Sequence, residues 1–454
     1  MSLVQFGTCP KWCPLRGARR FPSRFLQAAL WAFVAGLSFS VPAAELPSGQ
    51  PLSAVHGVIP LNKLVAEALQ NNPEIHAARK EREATQYRVA PAGALDDPML
   101  ETGFINVPVN SLRFDREDMT MKMIGLSQRL PYPGKRGLRQ DVATRDAETA
   151  GYGYQETVNR VARDIKMAYF DLGLTIAMTG LVEKNKLTLE QFLRIAETRY
   201  GVGQGTQADV LKAQTQLSRM VDELLKLARE RPTIEAELNR MLGRSANVTA
   251  LLPEPPQLRE ETLNLESLRE TALTQRPQLL ALQSIVSRNE KALDLARKDY
   301  YPDFDVRLSY GQRDRMPDGT RRSDMVSLTV AFNLPVWRGN KLEPRVAESL
   351  ALRDQALSLQ QAQRNEVDAK LRQQAAAVEQ NLKSARLYQT AILPQARLTV
   401  ESALAAYRVN RADILMLLDS QMTVFNYETS LVTAMTNYNK ALAEINLLTG
   451  KSPE

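Results

Sequence analysis

Two stretches, LNKLVAEALQNNPEI (61–75) and LESLRETALTQRPQL (265–279), carry leucines, an Ala-Leu pair and a proline at matching places, 204 positions apart. Pro98 and Pro302 keep that offset, as do the Leu-Pro steps at 130–131 and 334–335. Downstream the offset becomes 207. It then relates Tyr200 to Tyr407, Val202 to Val409, Leu211 to Leu418, Gln214 to Gln421, and ELNRMLG (237–243) to EINLLTG (444–450). A net insertion of three residues explains the change. The chain is therefore one unit of roughly two hundred residues written twice, and a repeat of that length governs the architecture before any local motif does. The Pro-rich stretch LLPEPPQL (251–258) marks the joint between the halves.

Net charge is +7, yet residues 1–43 hold five Lys/Arg and no acid, so the remainder carries only +2. No basic tract is left to track phosphates, which excludes a nucleic-acid partner. Those first residues read as an export signal. A basic region ends at Arg24, the apolar run FLQAALWAFVAGLSFSV follows, and VPAA offers small residues for cleavage near Ala43 or Ala44. The run is shorter than the roughly 20 apolar residues of a spanning helix. Cys9 and Cys13 precede it, so the mature chain is expected to lack disulfides, thiolate metal sites and a lipoprotein cysteine. No later segment reads as a spanning helix, which leaves the periplasm or an outer membrane.

Residues 137–198 contain no proline, and Val158, Val161, Ile165, Ala168 and Leu172 recur at the three-four spacing of one apolar helical stripe. At 1.5 Å per residue that helix is roughly 90 Å long. Residues 345–405 read alike, with Pro394 expected to bend or interrupt them. Further helices are expected at 207–242 and 413–449, and single opening helices at 61–92 and 265–298. Helices this long suit coiled-coil packing within or between chains.

Between opening helix and long helix the period changes to two. Phe304, Val306, Leu308 and Tyr310 alternate with Asp305, Arg307 and Ser309. After the polar turn RDRMPDGTRRSD, Val326, Leu328, Val330, Phe332 and Leu334 alternate with Ser327, Thr329 and Asn333. One apolar and one polar face over about ten residues is the pattern of a transmembrane β-hairpin. A weaker hairpin, at 99–107 and 118–130, places Leu100, Phe104, Ile124, Leu126 and Leu130 on the same outward phase. Four strands cannot close a barrel, and lipid does not tolerate an open edge. Other copies must therefore complete it. Two would give eight strands and three twelve; eight leave room only for side chains, so a conduit favours three. A soluble hairpin packed on helices is the bland alternative.

The duplicated opening blocks, the junctions LPYPGKRG and LPVWRGNK, the turns YGVGQGTQADVLKAQ and YRVNRADILMLLDSQ, and the closing ELNRMLG and EINLLTG together resemble the TolC family of outer-membrane efflux and secretion ducts. LPYPGKRG and MTMKMIGLSQ are most similar to its heavy-metal, CzcC- and CusC-like branch. The resemblance implies a mixed α+β membrane protein: a homotrimer with a twelve-stranded barrel in outer-membrane lipid and an α-helical tunnel across the periplasm. It also implies docking onto a periplasmic adaptor and an inner-membrane pump, of RND type in that branch. The domains then read as a signal peptide (1–43), an opening segment (44–97), a hairpin (98–131) and periplasmic helices (132–250). A linker (251–264) leads to the second opening helix (265–301), hairpin (302–335) and helices (336–450), and a tail (451–454).

No constellation of catalytic residues is present and no cofactor is expected; the two histidines, His56 and His76, fit no ligand spacing. Gly201, Gly203 and Gly205 permit a tight turn between long helices. The resemblance places such turns at the periplasmic tip, where Gly203, Gln204 and Thr206, with Asn410, Arg411 and Ala412, become candidate adaptor contacts. In TolC-like ducts, aspartates nine and twelve residues past the turn tyrosine of the second repeat ring the tunnel mouth. Here those places hold Met416 and Asp419, and in the first repeat Asp209 and Lys212. Three Asp419 carboxylates around one axis would select cations, while Met416 and Lys212 depart from a double acidic ring. Finally, transferring the inward phase between hairpins turns Met99, Met119, Met121, Met123 and Met325 toward the lumen, where soft thioethers could meet Cu(I)-like ions; methionine as a filler of irregular space is the plainer reading. A duct for drugs or secreted proteins and a soluble periplasmic coiled-coil scaffold are the competing functions.

Overall fold

The computed structural model describes residues 58–246, 248, 252–255, 258 and 263–451. The expected signal peptide, both cysteines, His56 and much of the inter-repeat joint lie outside the described residues. The first half runs α1 (Leu61–Asn71), α2 (Pro73–Gly93), β1 (Met99–Ile105), β2 (Met121–Leu130), α3 (Lys135–Gly201) and α4 (Gln207–Met241). The second repeats the order with α5 (Leu265–Gln275), α6 (Pro277–Lys298), β3 (Phe304–Gln312), β4 (Met325–Phe332), α7 (Glu343–Leu387), α8 (Leu393–Arg408) and α9 (Ile414–Thr449). With its 67 residues, α3 is roughly 100 Å long. Its counterpart is interrupted at the five-residue π segment Tyr388–Ile392, just before Pro394, as the missing proline N–H requires.

The opening helices differ from the sequence expectation, because each is broken in two. Asn72 and Arg276 are extended, with ψ of 124° and 120°. Each precedes a proline, and proline disfavours α geometry in the residue before it. Asn72 Oδ1 accepts from the backbone N–H groups of Glu74 (2.8 Å) and Ile75 (3.1 Å), while its Nδ2 donates to Met241 O at 2.7 Å. One buried amide therefore caps α2 and fastens it to the end of α4.

Three clusters of buried apolar side chains hold the helices. One joins α1, α2, α3 and the end of α4 around Leu64, Ile165 and Leu238. A second joins α5, α6, α7 and α9 around Leu279, Leu371 and Tyr438. The third, near the far ends of the long helices, interleaves α3, α4, α8 and α9 through Leu189, Phe192, Met220, Tyr407 and Leu417. Contrary to the sequence reading, α3 does contain a stretch long and apolar enough to cross a bilayer. A third of that stretch is buried within the chain, and along α3 Ile165, Leu172 and Val182 belong to the first and third clusters.

Repeat symmetry reaches the backbone. Gly243 and Gly450 end the last helix of each half with φ of 70° and 72°. A Cβ at Gly243 would lie 2.6 Å from Asn71 O, and one at Gly450 would lie 2.8 Å from Gln275 O. Gly450→Ala is accordingly expected to lower stability by about 2–3 kcal/mol, combining left-handed strain with displacement of a backbone carbonyl. Thermal unfolding of the detergent-purified protein measures this, and an unchanged Tm would show that the α5–α6 corner yields freely.

The four strands form one antiparallel sheet in the order β1-β2-β3-β4. Leu100, Leu126, Leu308 and Leu328 make one cross-strand row, and Leu130, Phe304 and Phe332 another on the same face. This face is exposed, Leu328 to 69%. The opposite face carries Glu101, Ser127, Arg307, Ser309 and Ser327. The strands are shorter than expected at three ends. β1 stops at Ile105 because Asn106 turns left-handed (φ 54°). β2 begins at Met121 rather than 118, since Thr120 Oγ1 bonds Asn106 O at 2.7 Å across the mouth of the loop. β4 ends at Phe332 rather than 334, because the Asn333 side chain takes the Asp303 N–H in place of the ladder.

Where sheet meets helices, LPYPGKRG supplies a buried cation. Lys135, its side chain 3% exposed, places Nζ 2.8 Å from Asp303 Oδ1 and 3.0 Å from Tyr301 O. Asp303 Oδ1 also accepts the Tyr132 N–H at 2.9 Å, and the Tyr132 and Tyr301 rings stack at 4.6 Å. The strand-to-helix junction of one half is thus stitched to the helix-to-strand junction of the other.

Candidate functional site

At the ends of the long helices, the 202–206 and 409–413 turns are conformational twins. Gly203 and Asn410, 207 positions apart, are both left-handed (φ 73° and 62°), a geometry that glycine and asparagine tolerate best. Gln204 N donates to Arg199 O and Arg411 N to Ala406 O, each at 2.8 Å, closing α3 and α8 in the same way. Gly203, Gln204, Thr206, Asn410 and Arg411 are exposed and Ala412 is half-buried. All six candidate docking residues therefore sit in the two turns or at their edges.

Arg199 joins the turns, and the sequence reading missed it. Its guanidinium is buried and lies 4.3 Å over the Tyr407 ring. It donates to Tyr407 O, to Gln204 O (2.9 Å) and to Asn410 Oδ1 (2.5 Å). The cation thus sits at the C-terminal ends of α3 and α8 together, where both helix dipoles favour positive charge. A signal was present: Arg199 continues the buried stripe of Leu189, Phe192 and Ala196, and its repeat counterpart is Ala406. The turn tyrosines diverge accordingly, Tyr407 being 2% exposed and Tyr200 50%. Burial raises the Tyr407 pKa above the ordinary tyrosine value although Arg199 opposes it, so the hydroxyl stays neutral.

The acidic candidates separate into two kinds. Asp209 is committed to structure: its carboxylate accepts the Thr206 N–H at 3.1 Å, while Thr206 Oγ1 accepts the Asp209 N–H at 3.2 Å, a reciprocal cap on α4. Asp419 is exposed on α9 and forms no hydrogen bond or ion pair with any described residue of its own chain. Met416, Asp419 and Asn426 are exposed at helical spacing along the same face. Of the methionines, Met99, Met121, Met123 and Met325 lie on the polar face of the sheet. Met119 does not share their strand; it falls in the β1–β2 loop, where its carbonyl faces the Asn106 amide at 3.4 Å.

An open sheet with an apolar outer face, continued by paired long helices with twin turns at their ends, defines a membrane-inserted helical duct protein. The family model described as Outer membrane efflux protein matches residues 64–244 and 268–451, one segment in each half, and the chain belongs to that family. It is 23% identical over 347 residues to the outer membrane efflux protein BepC of Brucella suis biovar 1, covering 73% of this chain and 69% of the relative. To the cobalt-zinc-cadmium resistance protein CzcC of Cupriavidus metallidurans it is 21% identical over 407 residues, 87% of this chain and 91% of the relative. The fold is similar to that of VceC from Vibrio cholerae (TM-score 0.74, 18% identity, 87% of this chain and 97% of that one). It is also similar to that of CusC (TM-score 0.71, 14% identity, 86% and 91%). The chain is an outer-membrane efflux protein of the Gram-negative cell envelope, with a large helical part in the periplasm.

Proposed function

We propose that this chain is the outer-membrane channel of a tripartite efflux system, a passive homotrimeric duct opened at its periplasmic end. The open sheet carries the reading. β1 and β4 each leave one edge unpaired among the described residues, and their apolar side chains point away from the polar face. In lipid those edges must be closed, and three copies supply a twelve-stranded barrel with a polar lumen. The exposed twin turns then point away from the membrane and receive a periplasmic adaptor through Gly203, Gln204, Thr206, Asn410, Arg411 and Ala412. Energy comes from an inner-membrane pump, which we take to be of RND type. The likeness to CzcC favours heavy-metal cations as cargo over drugs or secreted proteins.

Asp419, unpaired and exposed, is the gate residue of this proposal, with Met416 one turn nearer the tip. The test is single-channel conductance of the detergent-purified protein in planar bilayers, with trivalent cations on the periplasmic side. Small, cation-selective conductance blocked by those ions is expected, and Asp419→Ala should relieve the block by about tenfold or more, since three carboxylates leave one ring together. A block unchanged in Asp419→Ala moves the gate elsewhere. Failure of well-folded protein to insert overturns the duct.

A further inference from the structure

We propose that Met121, Met123 and Met325 form a thioether site for monovalent soft cations, Cu(I) or Ag(I), built around Gly311. Its placement inside a conduit rests on the duct reading above; its existence as a metal site does not. The register makes the case. Gly103, Met123, Gly311 and Met325 form one cross-strand row on the polar face, so two methionines flank one glycine directly. Adjacent strands lie about 4.8 Å apart, which puts the two methionine backbones about 10 Å apart, and the residue between them contributes no side chain of its own. Met121 points to the same face two residues from Met123, and its Sδ occupies the space that a Cβ at residue 311 would fill. The Met121 sulfur thus covers Gly311, and Met123 and Met325 flank that glycine in the same row on the same face.

The surroundings set the ligand chemistry. Thioether sulfur is neutral and soft, and it prefers Cu(I)-like ions to hard divalent ones. The carboxylate nearest along this face, Glu101, is engaged by Arg307 at 3.0 Å, so it is not a free anionic ligand. Met121 and Met123 are half-buried and Met325 is 40% exposed, which leaves the sulfurs reachable from the polar side. Their neighbours on this face, Gly103, Gly311, Ser309, Ser327 and Ile105, make an open surface rather than a packed core, although Met121 does fill the space over the glycine. A neutral sulfur set also binds without trapping, as suits an ion that must leave.

The experiment is calorimetric titration of the detergent-purified full chain with Ag(I) alone, in chloride-free buffer. Silver needs no reductant and reports the same soft-ligand preference. We expect about one Ag(I) per chain, a stoichiometry lost in Met121→Leu/Met123→Leu/Met325→Leu and kept in Met99→Leu/Met119→Leu. Gly311→Ala, which displaces the Met121 sulfur, should weaken binding by about tenfold, the scale of changes beside a metal site. Conductance and the heat-dependent gel shift of the triple variant should match wild type, which separates loss of ligands from loss of fold. Silver binding that survives the triple substitution, is absent from wild type, or falls equally in Met99→Leu/Met119→Leu overturns the site. Binding that behaves as expected in a protein without conductance keeps the site and sinks the duct.

Discussion

Lys135→Met is expected to cost about 3 kcal/mol of stability and to abolish the heat-resistant assembly on gels. The substitution strands the Asp303 carboxylate in a largely buried junction, and removing one partner of a buried pair typically costs about 3–5 kcal/mol. The lower end applies because Arg129 remains 3.9 Å from Asp303. The same change unties the Tyr301 carbonyl, so the loss falls on both junctions at once. Lys135→Met/Asp303→Asn is the discriminating variant. Its amide oxygen still accepts the Tyr132 N–H, and no buried charge is left unpaired, since Arg129 is exposed and Asp299 keeps Arg345 at 3.1 Å, so most of the stability should return. If the double variant is no more stable than the single one, the charge pair is not what holds the junction.

The second large effect is expected at Arg199. Arg199→Ala removes a cation with three acceptors from two different turns, and hydrogen bonds involving a charged group are each worth about 1.5–3 kcal/mol. Its Nε is buried without a partner, which offsets part of that gain. A net loss of roughly 3 kcal/mol per chain at the tips follows. Because Tyr407 and Asn410 belong to the second repeat and Arg199 to the first, the loss frees one helix pair from the other. Single-channel recordings should show conductance several-fold above wild type, and Arg199→Lys should lie between, since one ammonium lacks the planar fork. The gel shift, which reads the sheet, should not move. Wild-type conductance in Arg199→Ala would show that the clasp does not restrain opening.

The contrast between Gly203 and Arg199 shows what could be read without coordinates. The 207-residue offset pairs Gly203 with Asn410 and Gly243 with Gly450, and each pair shares a left-handed backbone, because a repeat transmits local geometry directly. The strand phase was likewise legible in alternation: Leu100 and Leu126 share a row with Leu308 and Leu328. Partnership was not. Periodicity reports that position 199 faces inward, but its acceptor at Tyr407 lies 208 residues away, and nothing local encodes that meeting. Asp209 carries a role that its spacing from Tyr200 does not announce: the capping arrangement with Thr206 engages its carboxylate. The Asn72 break was within reach, since Pro73 stands in the very motif that revealed the repeat.

The sheet order carries one more consequence. β2 pairs with β3, and these strands come from different halves, so the seam inside the chain joins the end of one repeat unit to the start of the next. Closing β4 of one copy onto β1 of another would make the same kind of seam again. A single chain is therefore a ring fragment rather than a finished subunit, and it cannot enter hydrocarbon first and find its neighbours afterwards. Recruitment must come before, or together with, insertion. The rate of appearance of functional pores should thus depend steeply on how many copies are waiting at the membrane surface.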